Sequence, residues 1–349
     1  MLTLKKESHV FKALENKSFF KLICGASFTD NVLVENLSFI FTLAGAHVID
    51  LAPHADIVIA AKNGVEKAIE FGKKDKRFKY NLKPPILMAS IQLDLDPHFR
   101  KVEVDRNLCD VCGACVKVCP TEAFKINENE GVKDFIYNKE RCYGCGICPS
   151  YCHVKALNMT EVEMDPYNTL NDMLLLGLKS IEFHFGKNYL RIREIWDKIK
   201  DLVKKLELVS FSLGSGLLSD IEIKDAARLC FELAGSNIIL QCDGVPMSGG
   251  RSNAGKNGHN NDELSLHVAK LIEEEKLPVF LQIAGGTTEF SFDNVKNSGL
   301  PVNGIAVGSY ARKLLIPYLN DIYSDQNFSS AFRIARSLVQ SSAVSGNYN

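Results

Sequence analysis

Apolar residues recur along this chain in two alternating rhythms. Residues 20–26 form a short apolar run that ends in glycine, the pattern of a buried strand. A 3.6-residue rhythm follows, with Val34, Leu37, Phe41 and Ala44 on one face. Asp30 stands where an N-cap is needed and Gly45 where the helix must stop. The same alternation then predicts a second strand over 47–52, a second helix over 63–71, and a third strand over 86–92 entered from Pro84-Pro85. It breaks off there and resumes with strands over 181–185, 208–213, 238–243, 279–284 and 304–307. Helices are expected between them over 190–206, 221–234 and 262–275, with a last one over 327–339 before a frayed end.

Three strand–helix units before the break and five after it make eight, the number that closes a parallel barrel. The fold class expected is α/β, a (β/α)8 TIM-type barrel interrupted after strand 3 by a separate module. Parts 1–99 and 165–349 form the barrel, and 100–164 the insert. An open doubly wound sheet is the alternative that the strand count allows. An insertion after strand 3 enters at a βα loop, on the face where barrels of this kind bind ligands.

The insert carries the most specific chemistry. From Cys109 it reads C-D-V-C-G-A-C-V-K-V-C-P, and from Cys142 it reads C-Y-G-C-G-I-C-P-S-Y-C-H. Each run has the spacing of ligands for a four-iron cluster, with the fourth Cys crossing to the other cluster. Cys109, Cys112, Cys115 and Cys152 are therefore assigned to one [4Fe-4S] cluster, and Cys142, Cys145, Cys148 and Cys119 to a second. The halves repeat with an offset of 33 residues; the repeats span about 100–129 and 133–162. His153 stands where Pro120 has its counterpart, so the cluster completed by Cys152 is expected to be the more labile. A zinc site built from CxxC pairs is the competing reading, disfavoured by eight Cys in two copies of one run. Here the chain resembles the α+β dicluster ferredoxin-like domain.

Composition adds bounds. The chain has 349 residues, 46% hydrophobic and 24% charged, with net charge −1. That is ordinary globular composition, and it argues against nucleic-acid partners or a polybasic membrane surface. No apolar run is long enough for a membrane span, and the first residues lack a signal-peptide pattern. Thiolates committed to iron point to a reducing, cytoplasmic location. The other cysteines, Cys24, Cys230 and Cys242, sit among apolar neighbours and are expected in the core.

Polar residues intrude into the strands at every second position, on the parity that points into a barrel. Glu182 and His184, Ser210 and Ser212, Gln241 and Asp243, and Ser90 and Gln92 form such pairs, with Asp50 and Gln282 single. A satisfied interior polar layer and a ligand site weigh about equally; Glu182, His184 and Asp243 are the catalytic candidates. Gly285 and Gly286 follow the seventh strand, Gly308 and Ser309 the eighth, where this fold seats phosphate. A flavin or other phosphate-bearing ligand is the group expected there. The long polar loop that carries Arg251 and Lys256 is a candidate lid.

Taken together, K-L-I-C-G-A at 21–26, A-G-A-H-V-I-D-L-A at 44–52, both Cys runs and D-G-V-P-M-S-G-G at 243–250 resemble the cyanobacterial light-dependent-period family. The resemblance implies redox-dependent input to the circadian clock, with a clock-input kinase or other clock proteins, and a component of the redox pool, as partners. The resulting expectation is an iron–sulfur redox sensor relaying photosynthetic redox state to clock input. The alternative is an oxidoreductase passing electrons from two clusters to a flavin or substrate at the barrel mouth. Whether the barrel is an enzyme is left open by the sequence.

Overall fold

The short apolar runs become strands in a computed structural model, which describes residues 6–341 except 76–77, 79–81, 130, 215 and 245–261. Strands β1 (Phe19–Ile23), β2 (Val48–Leu51) and β3 (Ile86–Gln92) come first. The insert contributes β4 (Lys101–Val104), β5 (Phe124–Asn129), β6 (Val132–Tyr137) and β7 (Leu157–Thr160). Parallel strands resume with β8 (Ser180–His184), β9 (Leu208–Gly214), β10 (Ile239–Asp243), β11 (Phe280–Ala284) and β12 (Gly304–Val307).

The barrel closes. Its order is β1-β12-β11-β10-β9-β8-β3-β2, with β12 returning to pair in parallel with β1. β3 pairs with β8 directly, so the insert leaves and rejoins the barrel at one loop. An open sheet is thereby ruled out. The outer faces of the strands pack on the helices through one continuous apolar core that includes Leu22, Ile49, Ile91, Phe183, Phe211 and Leu240. Such burial on both faces is what lets parallel strands be apolar throughout.

Several helices differ from expectation for identifiable reasons. The second helix spans Ala55–Lys74, longer than 63–71. Ile57, Val58 and Ala61 extend its buried stripe, while His54 at the N-cap makes no side-chain hydrogen bond, so no capping residue marks the start. A helix that the apolar pattern does not predict, Ser309–Leu319, follows β12 and holds Pro317 inside it. The short helices His9–Glu15, Pro166–Leu175 and Ser291–Ser298 were not expected at all. The first of these closes the bottom of the barrel. Its Val10, Phe11 and Leu14 pack on Phe19, Val48, Met88, Leu208 and Ile239 from the starts of five strands. Among the described residues no helix is long and apolar enough to cross a membrane.

Candidate functional site

The insert is built twice. β4 pairs antiparallel with β7, and β6 with β5, so each pair takes one strand from each repeat. The 33-residue offset holds in the backbone as well as in the letters. Val111 and Gly144 both have positive φ, as do Gly113 and Gly146, and Glu122 and Lys155. At Gly144 the requirement is absolute, because a Cβ would lie 2.1 Å from the Arg100 carbonyl oxygen. Val111 holds the equivalent conformation, φ 56°, at the cost expected of a β-branched residue there.

The turns gather the cysteines into two quartets. Cys109, Cys112, Cys115 and Cys152 line one small cavity; Cys119, Cys142, Cys145 and Cys148 line another. The amides of Ala123 and Ala156 donate to the Cys119 and Cys152 sulfurs at 3.3 and 3.2 Å, again related by the repeat. Four sulfurs around a cavity, with backbone donors aimed at them, fit a four-iron cluster. Where Pro120 has its counterpart, His153 pairs with Asp110 at 2.9 Å and so ties the second run to the first. Cys24, Cys230 and Cys242 lie elsewhere, fully buried; burial pushes the Cys24 thiol up to about 12.

A larger cavity, about 70 Å³, opens at the C-terminal ends of the barrel strands. Glu182, His184 and Asp243 line it together with Gly285, Gly286, Gly308 and Ser309. The barrel thus brings together both groups of residues singled out from the strand pattern and from the glycine loops. Gly285 is also required by packing, since a Cβ there would lie 2.6 Å from the Gly244 amide nitrogen. Arg251 and Lys256 fall outside the described residues.

Beneath the cavity the polar side chains satisfy one another. Lys21, fully buried, pairs with Glu182. Ser210 and Gln241 donate to the same carboxylate at 2.7 and 2.9 Å, and Gln282 donates to Gln241 at 2.6 Å. Ser90 donates to Asp50 at 2.9 Å, and Ser212 to Asp243. Burial would raise the Glu182 carboxyl, but the Lys21 ammonium and His184 hold it well below the usual range. Asp50 goes the other way: burial first, then the Glu182 charge, push it up to about 7. The interior polar layer and the ligand-facing surface are therefore one network.

Sequence reasoning missed five residues here. Lys21 was counted within an apolar run, although a lysine amid Phe19, Phe20, Leu22 and Ile23 was itself a signal. Asp96 and His98 come from the segment that leaves β3 for the insert, and His98 lines the cavity beside His184. Their rings stand 5.3 Å apart. Burial alone would lower the His98 imidazole, yet the Asp96 carboxylate 2.6 Å away raises it to about 9. Arg312, on the helix after β12, is buried, donates to the Ile23 carbonyl, and lies 4.4 Å from the Tyr143 ring centre. Tyr143 sits between Cys142 and Cys145 and lines both the second cysteine cavity and the barrel mouth.

Comparison with known proteins agrees with both halves of this picture. A 4Fe-4S dicluster domain matches residues 108–156, and the light dependent period A C-terminal domain matches 174–345. Light dependent period A of Synechococcus elongatus is 28% identical over 329 residues, covering 91% of this chain and 87% of that protein. An uncharacterized ferredoxin of Methanocaldococcus jannaschii is 33% identical over 63 residues, 18% of this chain and 82% of its own. Among solved structures, the YdjI aldolase of Escherichia coli K12 aligns over 95% of this chain and 92% of that one, with 9% identity and a TM-score of 0.45, too remote a likeness to inform function. Residues 174–345 therefore carry the light dependent period A C-terminal domain and residues 108–156 a 4Fe-4S dicluster domain, in a chain similar to light dependent period A over most of its length.

Proposed function

We propose that this protein is an iron–sulfur redox sensor whose barrel mouth responds to the state of the insert. Residues 100–164 act as the module between barrel parts 1–99 and 165–349. Cys109, Cys112, Cys115 and Cys152 would hold one [4Fe-4S] cluster, and Cys119, Cys142, Cys145 and Cys148 the other. Clusters held there supply one-electron uptake and release, and with it a change of one unit of charge inside the module.

The observation that carries the reading is the position of Tyr143, which lines both the second cysteine cavity and the barrel-mouth cavity. Arg312 stacks on that ring and is anchored to the carbonyl at the end of β1. A buried guanidinium feels a nearby charge through a low effective dielectric, so it is the group on this chain suited to pass the change to the mouth. By family likeness, the receiver is a component of circadian clock input, such as a clock-input kinase, and the redox pool feeds the module.

The test is the affinity of anaerobically purified protein for the host's clock-input kinase, measured oxidised and after dithionite reduction. At least a fivefold difference is expected, and Arg312→Gln should reduce it. Equal affinities in the two states, with the iron intact, would overturn the proposal.

A second reading has its own observation. Gly285, Gly286, Gly308 and Ser309 share one cavity with Glu182, His184 and Asp243, as an oxidoreductase seating a flavin phosphate beside proton-handling groups would require. Flavin absorption in the purified protein, or a thermal shift with FMN, supports that enzyme. A ligand at a hundred times its dissociation constant stabilises by about 2.7 kcal/mol, easily read as a shift. No shift with FMN or inorganic phosphate leaves the barrel as a scaffold.

A further inference from the structure

His184 is an imidazole with an unmet need. It is 4% exposed, and neither ring nitrogen makes a well-aligned hydrogen bond, the nearest acceptor being Glu182 at 3.3 Å from Nε2. A buried imidazole left so is costly unless something else occupies its lone pair. The surroundings specify what that could be. Its Nδ1 faces the Asp96 carboxylate at 3.8 Å, too far for a hydrogen bond, and Asp96 in turn touches His98 Nδ1 at 2.6 Å. One ligand atom from each of Asp96, His98 and His184 lies within 4.8 Å of the others. At metal-to-ligand distances of about 2.0–2.2 Å, such atoms can share one ion.

We infer that Asp96, His98 and His184 form a divalent transition-metal site at the barrel mouth, separate from the cysteine quartets. Two imidazoles and one carboxylate are the donor set that proteins use for Zn(II) and non-haem Fe(II). The surrounding groups match what such a site needs. His184 Nε2 points at Glu182 at 3.3 Å, so the carboxylate can orient the ring as its other nitrogen binds, and Lys21 holds Glu182 in place. Asp96 is preset because it also accepts from the His98 backbone amide at 2.8 Å. His98 and His184 line the barrel-mouth cavity, whose space of about 70 Å³ leaves coordination positions for water or a small anionic ligand.

Sequence spacing hides the site, since its ligands come from two sides of the insert. Asp96 and His98 precede it and His184 follows it. The competing reading is that Asp96 and His98 merely share a proton, which a bound metal would displace.

The experiment uses full-length protein with its iron–sulfur content assembled anaerobically. Mn(II) titration is followed by the loss of the free-ion EPR signal, and bound zinc is measured by elemental analysis after desalting, with iron and sulfide measured in parallel. Wild-type protein should retain one Zn(II) or Mn(II) per chain that His98→Gln retains at least tenfold more weakly. Asp96→Asn and His184→Asn should behave alike, with iron content unchanged. His98 is one-fifth exposed on a short turn, so its variant remains decisive if the buried ones fail to fold. Identical Mn(II) and Zn(II) binding in wild type and His98→Gln, or no ion bound beyond the cluster iron, overturns the site.

Discussion

Individual side chains inside the barrel trade burial against charge. Asp50 shows the trade directly, because burial and then the Glu182 charge push its carboxyl up from the ordinary 3.8 to about 7. Between those values the folded state keeps a proton that the unfolded state has lost. Stability from this group therefore falls as pH rises from about 4 to 7, by the usual proton linkage. Asp50→Asn should remove the dependence and raise unfolding stability at pH 8 by more than about 1 kcal/mol, with little change at pH 4. Urea unfolding of the two proteins across pH 4–8 checks this, and parallel curves would refute it. Lys21 and Glu182 make the complementary case. Lys21→Met strands a buried carboxylate and should cost about 3–5 kcal/mol, whereas Lys21→Met with Glu182→Gln should recover much of the loss. Equal denaturant midpoints for the single and double variants would contradict that pairing.

Among the elements, the repeated loop–turn unit of the insert governs iron. Each unit wraps three cysteines of one cavity and sends a fourth to the other, with matching positive-φ positions and matching amide-to-sulfur hydrogen bonds. Replacing one cysteine should therefore disable one cavity and not merely weaken both. Cys145→Ala is expected to lose about half of the iron or more, and Cys230→Ala none, by iron and sulfide analysis. Unchanged iron in Cys145→Ala would sink the ligand assignment. The helix elements carry a different lesson. Asp30 caps Asn31–Ala44 as its sequence position suggested, and its other carboxylate oxygen also receives Arg141 from the insert at 2.9 Å. A capping residue is local information, but its second partner is not.

At the scale of the whole molecule, one barrel is assembled from chain segments on either side of the insert. Thr29 donates its backbone amide to Glu140, and Lys101 reaches Thr29, so the module rests on the β1 loop as well as on its own entry point. Deleting 100–164 with a short linker should nonetheless leave a folded α/β protein free of iron, because β3 and β8 pair without the insert. Residues 1–92 alone should show no cooperative transition in denaturant, since β1 and β3 would lose β12 and β8. A cooperative transition from 1–92 would contradict the single barrel.

What the sequence by itself determined here is whatever depends on near neighbours. The strand positions, the caps at Asp30 and Gly45, the grouping of cysteines around two cavities, and the inward parity of Glu182, His184 and Asp243 all follow from period and spacing. The glycine loops after β11 and β12 were legible for the same reason. Only the tertiary structure decided which of these meet. Lys21 finds Glu182 across 161 residues, Arg312 finds Tyr143, and Asp96 and His98 come to face His184 from the far side of the insert. Barrel closure sets those contacts, through the register of one strand against the next. Such register is a property of the paired sheet, and no single stretch of chain encodes it.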